Sequence, residues 1–362
     1  MQDTSPIDIV YLWVDGNDSQ WRLKRQQAAS KLCADGHNAM ARFGNVEGRF
    51  RDNQELRYSL RALDQFFPTH GHVYLVTDAQ VPAWLQDSDR LTIVDHRALI
   101  PHDALPTFDS GHIESYIHRI PGLSERYFYF NDDVFFGAPV HARDWFYPGG
   151  FYVTWSDDPC VPGLAMQSHD TSLENASRLS RQWLQTKATQ QTPHTTIGAH
   201  RLDPHYAHTP RTFAHSPRPM LKSLLYALEH EAPDLFAQVR STVFRAWDKP
   251  TLVSDFVLRW ALAHGVAQLK DYSHSYVSTG ASDTHTQLKQ LRHAWGSLDF
   301  FCINDTTDDA HPDDPRLTQV RDTLQTLLQA PSSFEKMRHA TSHRGLSGKP
   351  QRQSNLLTYF LI

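Results

Sequence analysis

Cysteine is scarce: Cys33, Cys160 and Cys302 are the only three in 362 residues, and none has C-x-x-C spacing. That excludes a disulfide framework and a cysteine-rich zinc module, and it fits a reducing compartment. No G-x-G-x-x-G and no G-x-x-x-x-G-K-[ST] pattern occurs, so neither a dinucleotide fingerprint nor a P-loop is supported. Basic charge is not in excess. Lys and Arg total 35 against 40 Asp and Glu, a net charge of -5, so no nucleic-acid partner is expected. No apolar run approaches the roughly 20 residues that cross a bilayer. Met1 to Pro6 show neither a basic nor an apolar leader segment, so no signal peptide is expected. These absences predict a soluble, cytoplasmic chain, at most held peripherally at the inner face of the cell membrane.

Hydrophobic residues make up 40% and aromatics 11%, enough for one large core or two packed ones. The most telling stretch is Tyr127-Phe-Tyr-Phe-Asn-Asp-Asp-Val-Phe-Phe-Gly137. Its aromatic half reads as a strand. Asn131, Asp132 and Asp133 then stand where the strand should end, the position at which α/β sheets bind ligands. Oxygen donors of this kind suit Mg2+ or Mn2+ rather than zinc. They equally suit a plain turn. Ile7 to Val14 read as a buried strand ending in Asp15-Gly16, and Cys302-Ile-Asn304-Asp305 repeats the strand-then-Asn-Asp logic.

Between these lie two informative helical patterns. Asp52 followed by Glu55 predicts a capping box, and Leu56, Leu60, Leu63 and Phe67 form the buried stripe of the helix it starts. Arg49, Arg51 and that helix start are candidates to hold phosphate, or else ordinary solvated arginines. His112 to Ile120 predict a second helix with Glu114 and His118 on one face, either an acid–base pair or a structural pair. Strands alternating with helices over 1–155 predict an α/β layered, mostly parallel sheet. Residues 184–219 change character and gather His194, His200, His205, His208 and His215, at spacings that match no standard zinc site. The last of these opens Ala214-His215-Ser216-Pro217-Arg218-Pro219, read as the lead-in to a helix marked by Leu221, Leu224, Leu225 and Leu228. Phe244-Arg245 precedes another, with Val253, Val257, Trp260 and Ala261 inward. A basic linker and the apolar tip Leu356 to Ile362 are a candidate contact with a membrane surface or another subunit, or a frayed tail.

In order, the blocks Asp8 to Gly16, Arg49 to Leu60, His112 to Arg119, Phe130 to Gly137, Ala214 to Pro217, Phe244-Arg245 and Cys302 to Asp305 resemble the Stealth proteins, a family of sugar-1-phosphate transferases. The resemblance implies a Rossmann-like, GT-A-like α/β fold with a more helical C-terminal half. It divides the chain into a nucleotide-sugar half (1–160), an acceptor-side and catalytic half (161–335) and a tail (336–362). It also implies a UDP-sugar donor, most often UDP-GlcNAc, with Mg2+ or Mn2+. An acceptor sugar hydroxyl would attack the β-phosphorus, UMP would leave, and a phosphodiester-linked capsular polysaccharide would form. By position in the family's blocks, His215 is the expected base, with Arg245 and Asp52 beside it. Asp15, Gly16, Arg49, Asn53, Arg57, Asn131 and Asn304 are expected to bind the donor. Asp132, Asp133 and Asp305 are the expected metal ligands. Glu114, His118 and Arg119 are expected behind the site or facing the acceptor. Two rivals remain: a metal-dependent Leloir glycosyltransferase, and a non-catalytic carbohydrate-binding or assembly protein.

Overall fold

The computed structural model describes residues 5–35, 39–190 and 209–336. The expected tail contact and His194, His200, His205 and His208 lie outside them. Among the described residues the strands are β1 (Asp8–Leu12), β2 (Val73–Thr77), β3 (Leu91–Asp95), β4 (Arg126–Asn131), β5 (Val134–Phe136), β6 (Phe146–Tyr147), β7 (Gly150–Val153), β8 (Arg218–Leu221), β9 (Ala267–Leu269), β10 (His274–Ser278) and β11 (Phe300–Asn304). The helices are α1 (Ser19–Ala34), α2 (Glu55–Phe66), α3 (His96–Leu99), α4 (Ser110–Glu114), α5 (Ala142–Trp145), α6 (Ser172–Gln190), α7 (Lys222–Glu231), α8 (Pro233–Arg240), α9 (Val257–Ala263), α10 (Thr284–Ala294) and α11 (Pro315–Leu327). Among the described residues, no helix is long and apolar enough to cross a membrane.

The central sheet runs β3-β2-β1-β4-β8, the first four parallel and β8 antiparallel at the edge. β1 and β4 are apolar along almost their whole length because both faces of a parallel sheet are covered. The strand order turns back between β1 and β4. Their carboxyl ends, at Leu12 and Asn131, therefore open the crevice in which α/β sheets hold ligands. The sequence did not signal β8. Its residues read as a helix lead-in, and only pairing with β4, Arg218 opposite Tyr129, makes them extended. Pro219 is tolerated there because an edge strand can spare an N–H.

A second sheet, β10-β11-β5, joins the first through Asp132-Asp133. The chain leaves β4 at Asn131 and enters β5 at Val134, which lies opposite Cys302 of β11. Helix α2 fits between the two sheets. Leu56, Leu60 and Leu63 pack on the central core, while Tyr58 and Ala62 face Phe135 and Phe301 in the second. The two halves of the chain are thus interlocked, since β8 completes the first sheet and β5 the second.

Two local expectations are corrected. The cap of α2 is shifted: the Asp52 carboxylate accepts from the Gln54 N–H (2.8 Å), and Glu55 folds back to the Asn53 N–H (2.6 Å). Gln54 is forced into the left-handed region at φ 71°, a strain of the kind that gathers at functional sites. The 112–120 segment is also not one helix. It breaks after Glu114 and resumes as a 3-10 turn at Ile117–Arg119. Glu114 and His118 consequently point to different neighbours.

Candidate active site

A cavity of about 820 Å³ opens at the ends of β1, β4 and β11. One wall is acidic. Asp132 is buried and its carboxyl is pushed well above the usual range, first by burial and then by Asp133 and Asp52. Asp133 is pushed up to about 6 by burial. Its Oδ1 is buried without a hydrogen-bond partner, and its Oδ2 meets only the Cys302 thiol at 3.5 Å. Burial pushes Asp52 up to about 6 as well, with Asp15 adding to it. Glu55 behind them is pushed well up by burial and by Asp132 and Asp52. Carboxylates crowded together, with Arg49 the cation that acts on Asp133 and one oxygen orphaned, have the donor chemistry of a hard-cation site. Among the described residues no three His, Cys, Asp or Glu side chains converge as a ready-made ligand set. Mg2+ does not require one, because it is commonly held by one or two carboxylates together with waters and substrate phosphates. The chemistry of the Asp132-Asp133 pair therefore fits a hard cation such as Mg2+ or Mn2+ held by one or two carboxylates, with Asp52 close enough to raise Asp132.

A second wall is cationic. Arg49 and Arg245 both donate to the hydroxyl of Ser110, the first residue of α4, Arg49 at 3.1 Å. Arg245 also reaches Asp109 at 3.5 Å. Burial and the neighbouring Arg245 push Arg49 down to about 9, still charged at neutral pH, and its Nε has no partner. Two guanidiniums sharing one neutral hydroxyl leave donors for an anion. Close packing builds this wall. The N–H of Gly16 donates to the Phe50 carbonyl (2.7 Å), and a Cβ at Gly16 would stand 2.2 Å from that oxygen. A Cβ at Gly48 would stand 2.4 Å from Asp305 Oδ1. The Arg49-Phe50 turn is held between these two contacts.

His215 lines the same cavity, its ring 5.2 Å from that of Tyr276. Burial, then Arg218 and Arg245, push its imidazole down to about 3, so it is neutral at physiological pH. A neutral imidazole can accept a proton. It becomes a stronger base once a negative ligand offsets the two arginines.

The structure brings Arg49, Asn131, Asp132, Asp133, His215, Arg245, Asn304 and Asp305 to one cavity, with Asp52 and Asp15 coupled to it electrostatically. Several assignments change. Asp305 is no free metal ligand: its Oδ1 accepts from Thr279 and from the N–H and hydroxyl of Thr307, and its Oδ2 from Arg51 (2.5 Å) and Asn53 (3.3 Å). Arg51 is spent on that pair and on the Ala310 carbonyl. Asn53 is a buried link between Glu55 and Asp305. Arg57 turns away to Glu335 (2.5 Å). Gly16 serves close packing and Asp15 a turn, its carboxylate accepting from the Asn17 N–H. His118 and Arg119 join Arg240 around Glu229, and burial pushes His118 down to about 4. Glu114 lies behind the site, where the Tyr129 hydroxyl is 2.8 Å from both its Oε1 and Asn131 Oδ1.

Sequence reasoning did not single out Arg218, whose guanidinium is buried near Glu114 and has an unpartnered Nη1. It did not single out Ser110 or Asp109 either. Arg218 lay inside a quoted motif, but its direction depends on β8, which has no local signal.

Three family models match the chain: Stealth protein CR1, conserved region 1, over residues 5–33; CR2, conserved region 2, over 49–153; and CR4, conserved region 4, over 292–344. His215 and Arg245 lie outside these segments. The exopolysaccharide phosphotransferase SCO6023 of Streptomyces coelicolor is 34% identical over 337 residues, 92% of this chain and 53% of that protein. The exopolysaccharide phosphotransferase CpsY of Mycobacterium tuberculosis is 32% identical over 344 residues, 93% and 59% respectively. The capsular polysaccharide phosphotransferase fcs1 of Haemophilus influenzae is 31% identical over 315 residues, 85% and 80%. The chain thus spans little more than half of the first two relatives. A galactosyltransferase crystallised with donor and acceptor sugar analogues, at 9% identity, aligns over 90% of this chain and 98% of its own with a TM-score of 0.39, too low to inform the site. With region models matched near the N-terminus, in the middle and near the end, and relatives above 30% identity, the chain belongs to the Stealth family.

Proposed function

We propose that the chain transfers a sugar-1-phosphate from a UDP-sugar, most often UDP-GlcNAc in this reading, to a hydroxyl of an acceptor sugar in making a surface polysaccharide. The observation that carries it is one cavity lined by a guanidinium pair, by crowded carboxylates and by a neutral imidazole. Arg49 and Arg245 would take the diphosphate; Arg51, which also lines the cavity, is engaged by Asp305. Asp132 and Asp133 would hold Mg2+ or Mn2+, which supplies charge neutralisation on the diphosphate when bound.

The acceptor oxygen attacks the sugar-bearing phosphorus. A new P–O bond forms, the bond between the bridging oxygen and the sugar-bearing phosphorus breaks, and UMP leaves with that oxygen. The acceptor proton passes to a ring nitrogen of His215. Burial at this site makes each charge contact worth more than it would be in water. The names of the relatives, exopolysaccharide and capsular polysaccharide phosphotransferases, agree with phosphoryl rather than glycosyl transfer.

The test screens UDP-GlcNAc, UDP-GalNAc and UDP-glucose against trisaccharides of N-acetylglucosamine and of glucose, reading UMP against UDP release and the phosphorus NMR of the product. UMP and a diester signal are expected; UDP release without a diester would instead establish the Leloir rival. His215→Ala should lower turnover by about 10²–10⁴-fold while UDP-sugar binding survives. Full activity in that variant would remove the proton-transfer role.

A further inference from the structure

Besides the residues assigned above, the cavity of about 820 Å³ is lined by Tyr276, by the loop from Asp157 to Pro162 and by the start of α6. Tyr276 sits on β10. Its neighbour across the sheet is Cys302, whose thiol touches Asp133, so the strand is anchored to the acidic wall. Large aromatics elsewhere on β10 and β11 are packed away: Phe300 stacks on His274 and Phe301 on Phe135. Tyr276 is instead 44% exposed and lines the cavity. A half-exposed aromatic on an outer surface would be ordinary. Inside a cavity, beside the proton acceptor, it offers an apolar ring face with a polar rim, which is the surface that the C–H face of a pyranose covers.

Resting on the transfer reading above, we propose that Tyr276 is the stacking platform for the acceptor sugar. An acceptor ring laid on Tyr276 brings one of its hydroxyls to His215, and the remainder of the oligosaccharide extends along the lining formed by the Asp157–Pro162 loop and the start of α6. This makes Tyr276 a determinant of acceptor affinity rather than of donor affinity or of the chemical step.

The test uses the full chain with the donor and trisaccharide pair that yields a diester in the screen above, and compares Tyr276→Leu with Tyr276→Phe. In the leucine variant, the KM for the trisaccharide should rise about tenfold, the scale of a lost aromatic stack. The KM for the UDP-sugar should move less than twofold, and Tyr276→Phe should keep the wild-type acceptor KM. Circular dichroism and melting of both variants check the fold. An unchanged acceptor KM in Tyr276→Leu, or equal rises in acceptor and donor KM, would overturn the platform while leaving the transfer reading standing. A wild-type chain that yields no diester with any pair would overturn both.

Discussion

Two strand ends in this chain carry the same letters and opposite physics. β4 ends in Asn131-Asp132 and β11 in Asn304-Asp305, and the antiparallel pairing of β5 with β11 places them side by side. Asp305 has every oxygen occupied, by Arg51, Asn53, Thr279 and Thr307. Asp132 has Asp133 and Asp52 as like-charged neighbours, while Asp133 feels Arg49 and keeps a buried oxygen with no hydrogen-bond partner. One pair is a latch that holds the Arg49–Asn53 turn against the end of β11. The other is charge-frustrated, with Asp132 raised by burial and by its acidic neighbours. An Asn-Asp motif at a strand end therefore marks a place for a carboxylate. The chain packed against it decides whether that carboxylate is structural or available.

Substitutions should separate the two ends. The largest effect is expected from Asp132→Asn, which should lower diester formation by about 10²–10³-fold, the scale of losing one charge-stabilising group. It should leave the melting temperature equal or higher, because a repelled buried charge is removed. A wild-type rate in that variant would dissolve the contrast. Asp305→Ala should act the other way round. It strands Arg51 and should destabilise the fold by about 3 kcal/mol in urea unfolding, as breaking a buried ion pair does.

The next effect is a pH signature. The Asp133 carboxyl titrates near 6 when folded, against ~3.9 unfolded. The native state thus binds more protons between these values, and this group's contribution to stability falls as pH rises through 6. Asp133→Asn should accordingly match wild type at pH 4 and exceed it at pH 8, by on the order of 2 kcal/mol. Added Mg2+ at pH 8 should raise the melting temperature of wild type and not of Asp132→Asn; a rise of equal size in both would place the cation elsewhere. The smallest effect is expected at Arg119, 42% exposed at its side chain and paired with Glu229 away from the cavity. Arg119→Ala should change activity less than twofold in the UMP-release assay, as exposed ion pairs contribute little. A large loss there would enlarge the site beyond the cavity described.

Much of the scaffold was legible because it is periodic. The apolar runs of β1 and β4 and the Leu56-Leu60-Leu63 stripe of α2 are local patterns, and all are buried as expected. The blocks that resemble the family also announced Asn131 to Asp133, Arg49, His215 and Arg245, and the fold brings these to one cavity. Two of the misassignments share one cause. Arg57 and Asp305 sit in the right motifs, but each is claimed by a partner more than 200 residues away in the chain, Glu335 and Arg51 respectively. Glu114 and His118 were put on one face by assuming a continuous helix, which the structure breaks.

The sequence by itself determined which residues are apolar, where strands stop and where carboxylates and guanidiniums are available, because those depend on neighbours within a turn or two. Only the tertiary structure decided which of those charges are already neutralised. That depends on contacts between β5 and β11 and between β4 and β8, which join distant segments. It is why Asp305 became a latch while Asp132 and Asp133 were left for a ligand.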